Sequence, residues 1–102
     1  ATLPGISKVG SYTGTGSAQN IDCGFTNGAR FILIKKTSAS GDWYVYDTTR
    51  GISSGNEPFI MLNNTSAQSS ANYIGPHSSG FAVTTETALN GSGATYIFLA
   101  IA

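Results

Sequence analysis

Charged side chains are scarce in this chain of 102 residues, which carries five basic and five acidic groups and a formal net charge of zero at pH 7. Nothing in it resembles the basic stripe that neutralises phosphates or the polybasic face that holds an anionic bilayer, so nucleic acid is not an expected partner. Cys23 is alone, so no intrachain disulfide can form and cysteine usage carries no information about redox compartment. With Gly24 and Phe25 next to it, Cys23 reads as a small buried hydrophobe rather than an activated thiol. His77 is also alone, and one histidine with one cysteine cannot supply a multi-ligand His/Cys metal site. The apolar run at 96–102 falls far short of the roughly 20 residues of a spanning helix, so membrane insertion is not expected.

Helical patterning is missing too, because Gly, Pro or clustered Ser and Thr interrupt every window in which apolar residues would recur at three and four. Gly-x-Ser-x-Gly and phosphate-loop spacings do not occur, and no enzymatic activity and no cofactor are expected. Asp22, Asp42, Asp47, Glu57 and Glu86 are the carboxylates on hand for acid/base work, but nothing in their spacing sets two of them face to face. Calcium could draw on Asp42, Asp47, Asn56 and Glu57, again without ligand spacing, and no metal site is assigned.

What the chain does contain is 40% hydrophobic and 11% aromatic residues, 13 glycines, and abundant Ser, Thr and Asn in place of charge. That is enough apolar surface to offset the entropy of ordering. It is also the makeup of extracellular β-domains and of virus coat or fibre modules. The length suits one domain, residues 1–102, burying about two-thirds of its unfolded surface. The opening Ala1 is compatible with removal of Met, a cleaved leader or a fragment.

Alternation and turn signals predict about eight short strands in an all-β, single-domain antiparallel β-sandwich of jelly-roll type. They fall at 9–13, 18–22, 30–36, 42–47, 58–62, 80–84 and 95–102, with a further strand or turn near 72–74. The pair 30–36 and 42–47 reads as a hairpin, and so does the pair 80–84 and 95–102 across the turn Asn90-Gly91-Ser92-Gly93. The very apolar last strand belongs between two neighbours, with Tyr96 and Phe98 on one face and Ile97, Leu99 and Ile101 on the other. Residues 63–71 read as an exposed connection, and His77 as an exposed imidazole in a loop of small residues.

The block Trp43-Tyr44-Val45-Tyr46-Asp47-Thr48-Thr49-Arg50-Gly51 concentrates the polar chemistry. It reads as a strand running into a braced corner, in which Asp47 accepts from turn amides or from Arg50 and Gly51 supplies the backbone angle of the reversal. Trp43 and Val45 share one face and Tyr44 and Tyr46 the other, with Trp43 favoured for the core. A ligand, if the domain takes one, would meet Trp43, Tyr44, Tyr46, Asp47, Arg50 and Tyr73, aromatic faces beside hydrogen-bonding groups that suit a glycan. Sequon matches at Asn63, Asn64 and Asn90 arise readily in so Asn-, Ser- and Thr-rich a chain.

Taken in order, Gly14 to Ser17, Gly24-Phe25, Phe31 to Lys35, Trp43 to Gly51, Gly80-Phe81 and Asn90 to Tyr96 carry a resemblance. From about Tyr12 to Ala102 the chain resembles a β-sandwich module of bacteriophage virion proteins, especially tail fibre and surface proteins of marine phages and cyanophages. The most specific parts are Trp-x-x-x-Asp-Thr-x-Arg-Gly and Asn-x-Ser-Gly-x-x-Tyr, here Trp43 to Gly51 and Asn90 to Tyr96. A proline commonly follows the Gly-Phe pair in that module, where this chain has Thr26.

The resemblance implies a structural protein of the phage particle at the virion surface, as a tail fibre or head decoration protein, with a role in host attachment and no catalytic residues. Partners would be other virion proteins or copies of the chain itself, in a homotrimer or filament. A lectin-like module gripping a host-surface glycan and a self-assembling extracellular filament subunit are the alternatives.

Overall fold

The most apolar segment of the chain is the strand around which the fold is built. The computed structural model describes residues 2–52, 57–63, 65 and 67–102. In chain order these form β1 (Ser7–Thr13), β2 (Gln19–Asp22), β3 (Phe31–Lys36), β4 (Trp43–Asp47), β5 (Glu57–Met61), β6 (Ser69–Ala71), β7 (Ile74–His77), β8 (Gly80–Val83), a single helical turn α1 (Thr87–Asn90) and β9 (Thr95–Ile101). β9 lies between β1 and β3 and is antiparallel to both, so its backbone groups are paired on either side.

Two antiparallel sheets result, a large one in the order β1-β9-β3-β4-β5-β6 and a small one in the order β2-β8-β7. They pack as a β-sandwich. Tyr12, Ile32, Ile34, Tyr46, Phe59, Tyr96, Phe98 and Ala100 from the large sheet meet Ile21, Ile74, Phe81 and Val83 from the small one in a single buried cluster. Rings interlock across the sheets, with Phe81 edge-on to Phe98 at 5.3 Å. Each such side chain contributes on the order of 1.5–3 kcal/mol by leaving water. Gly10 leaves room for this packing, since a Cβ there would stand 3.1 Å from the Phe98 ring.

Pairing of β3 with β4 is as the sequence predicts, and so is the division of β9 into a buried Tyr96/Phe98 face and an Ile97/Leu99/Ile101 face. Several expectations need correction. The segments at 80–84 and 95–102 do not form a hairpin, because β8 pairs with β2 and β7 while β9 belongs to the other sheet. Residues 90–93 do turn, but α1 carries the chain across the sandwich, so the two apolar strands oppose each other through the core. Trp43 is on the outer face of the large sheet and Tyr46 is fully buried, which reverses the expected core position of Trp43. Within 63–71 the chain forms the edge strand β6, and His77 ends β7, half-buried, with Ser79 Oγ 2.8 Å from its Nδ1.

Candidate functional site

The residues singled out by sequence separate into a corner, an aromatic cluster and an exposed face. At the corner, Asp47 accepts the Arg50 amide on Oδ1 at 2.7 Å and pairs through Oδ2 with the Arg50 guanidinium, as the sequence predicts. Arg50 Nε also donates to Gln68 Oε1 at 3.1 Å, and Gly51 turns the chain at φ +117°. Asp42 stands at the opposite end of β4, about 17 Å away at the strand rise, where it accepts from Asn63 Nδ2 at 2.9 Å. Glu57 is fully buried on the core side of β5, and Asn56 lies outside the described residues. Among the described residues no three His, Cys, Asp or Glu side chains group as a metal site would require.

The tyrosines come together, though on the inner side. Tyr44 packs edge-on to Tyr73 at 5.8 Å and against Phe59 at 5.2 Å, and Tyr46 lies 5.7 Å from Phe59. Burial raises the hydroxyl pKa of Tyr46, and raises that of Tyr44 with a contribution from Tyr73. Burial likewise pushes the Cys23 thiol up to about 11, the state of an inert core cysteine.

The second specific motif is architectural. Asn90 is fully buried, and its side chain accepts from the Thr15 amide at 3.0 Å and Gln19 Nε2 at 2.9 Å while donating to the carbonyls of Ser17 and Thr84 at 2.6 Å each. The Asn90 sequon is therefore closed inside the fold. Tyr96 completes the motif by accepting the Gly91 amide at 3.0 Å and donating to the Thr87 carbonyl at 3.1 Å. Gly14 runs against this turn so closely that a Cβ would fall 2.1 Å from the Gly91 carbonyl oxygen.

Sequence reasoning missed the outer face of the large sheet. In register across five strands lie Val9, Leu99, Leu33, Val45 and Ile60, with Val45 itself buried beneath its neighbours at 6% exposure. Ile97 and Trp43 flank that row on one side, and Ile101 and Phe31 on the other. Val9 is 50% exposed, Ile97 42% and the adjoining Leu62 61%. A groove of about 370 Å³ runs over Val9, Leu33, Trp43, Ile97 and Leu99, and a second of about 350 Å³ lies between Trp43 and Leu62. The signal was present, since 30–36 and 95–102 are apolar on both faces, which points to strands covered on both sides. Among the described residues the small sheet covers one side of the large sheet and no layer lies on the other. Contiguous apolar patches of this kind mark interaction surfaces.

Fold and surface together define a β-sandwich domain whose large sheet presents a hydrophobic outer face that no layer of described residues covers. The chain belongs to the family described as a domain of unknown function, DUF7483, whose model matches residues 1–102. No curated protein and no solved structure matches it.

Proposed function

We propose that this domain is a non-enzymatic structural module of a bacteriophage particle, presented at the virion surface in a tail fibre or as a head decoration protein. The observation that carries the proposal is the outer face of the large sheet, where Val9, Leu33, Trp43, Ile97 and Leu99 form an apolar surface on which no layer of described residues lies. A domain that works alone in water gains nothing from such a face, whereas a subunit of an assembly buries it. The resemblance of Trp43 to Gly51 and Asn90 to Tyr96 to virion modules points the same way, and both blocks hold the backbone of the sandwich at its corners.

Peptide mass spectrometry of gradient-purified particles, with antibody labelling in the electron microscope, tests this role. The expected result is a fixed copy number per particle, with label on fibres or on heads. Recovery on tailless heads would assign decoration rather than fibre. Absence of the chain from infectious particles would overturn the proposal.

A further inference from the structure

We infer that the outer face of the large sheet is a two-fold interface, on which a second copy of this chain lays the same face. The inference deepens the assembly role above by naming the partner of that face.

Its size is sufficient. Five strands about 4.8 Å apart, with the four-residue step from Ile97 to Ile101 along them, give about 500 Å² with side-chain margins, or about 1,000 Å² for two copies, the threshold of a specific interface. The middle row, Val9-Leu99-Leu33-Val45-Ile60, carries no charge.

Charge fixes the orientation. Lys35 stands in the row of Ile97 and Trp43, and Asp47 in the row of Phe31 and Ile101, one strand over. A two-fold axis lying along the middle row, perpendicular to the strands, turns each outer row onto the other. Lys35, whose Nζ in the single chain donates to the Lys36 carbonyl at 2.6 Å, then lies beside the partner's Asp47 and shares that carboxylate with Arg50, and the reverse pair forms by symmetry. An axis parallel to the strands would set Lys35 against the same row of the partner and form neither pair. Sheets aligned in this way pack as the layers of a sandwich do.

The sheet edges are less open to a second copy. On the free side of β1, Thr2 Oγ1 accepts the Val9 amide at 3.1 Å and donates to the Val9 carbonyl at 3.4 Å, and Ser7 exchanges backbone bonds with Leu3, so the N-terminal half of that edge is occupied. At the far edge β6 has three residues.

Two measurements on the 102-residue chain test the interface. In sedimentation equilibrium the expected mass is twice the 10.5 kDa of one chain. Ile97→Glu, at a position exposed enough to leave the fold intact by near-ultraviolet circular dichroism, is expected to weaken association about 100-fold. Geometry is read by cross-linking. Leu99 lies on the proposed axis and faces its own copy about 10 Å away across the two layers, too far for a disulfide but within reach of a short bis-maleimide, so Leu99→Cys should give a covalent dimer with that reagent. Ile101→Cys, offset about 14 Å along the strands and so about 17 Å from its copy across the layers, should not.

A wild-type monomer at all concentrations, a trimer, a dimer indifferent to Ile97→Glu, or equal cross-linking at both cysteines would each overturn the inference. A dimer formed by a chain absent from phage particles would uphold this interface and overturn the virion role. A monomer present on particles would do the opposite.

Discussion

The rings of Tyr12 and Tyr96 stack 4.9 Å apart at 12°, and their hydroxyls grip the helical turn between the sheets, Tyr12 at the Leu89 carbonyl and Tyr96 at that of Thr87. Tyr96→Phe keeps the stack and leaves the Thr87 carbonyl and Gly91 amide without that hydroxyl. The expected cost is about 1–3 kcal/mol. Tyr12→Phe should cost about the same through the Leu89 carbonyl, and urea denaturation of both variants and the double variant measures their coupling.

Asn90→Ala removes both acceptor and donor from a fully buried junction and leaves the Thr15 amide and the Ser17 and Thr84 carbonyls short of a partner. Destabilisation of about 3 kcal/mol or more is expected. Asn90→Asp preserves the acceptor but not the donors and should be nearly as damaging. Denaturant midpoints compared with wild type check both, and a variant within 0.5 kcal/mol, roughly the scale of a surface change, would remove Asn90 from this role.

The Asp47 corner should be cheaper to lose on one side than the other. Arg50→Ala breaks a partly exposed ion pair and is expected to cost less than about 1 kcal/mol. Asp47→Ala also frees the Arg50 amide and should cost more, about 1–2 kcal/mol. Thermal unfolding of the two variants ranks them.

Glu57 makes stability depend on pH. It is fully buried, neither of its oxygens has a hydrogen-bond partner among the described residues, and burial raises its pKa from 4.5 to about 7. Between those values the folded chain holds a proton that the unfolded chain has released. The contribution of the neutral acid is therefore complete below about pH 4.5 and is lost as pH rises through about 7, at up to about 1.4 kcal/mol per pH unit. Glu57→Gln should flatten that slope and exceed wild type in stability at pH 8, with a smaller difference at pH 5. Urea titrations at both pH values decide it, and identical slopes would exclude Glu57 as the source.

Most strand positions, though not β6 and β7, the all-β class, the corner at Asp47 and Arg50 and the two faces of β9 were legible in the chain itself. Each depends on neighbours in sequence: alternation along a strand, a glycine at a reversal, a carboxylate three residues before a guanidinium. Beyond the hairpin of β3 and β4, which strands share a sheet was not legible. The turn at Asn90 would serve a hairpin, but α1 carries the chain across the core instead, held there by the bonds of the buried Asn90 side chain to Thr15, Ser17, Gln19 and Thr84. Nor could alternation alone say which face of β4 is inside, since Trp43 and Tyr44 both suit a core and the choice depends on where the three-stranded sheet lands. The sequence by itself determined that β3 and β9 are apolar on both faces. Only the tertiary structure decided that one of those faces lies outside the sandwich, because three strands can cover one side of a six-stranded sheet and no further layer of described residues lies on the other.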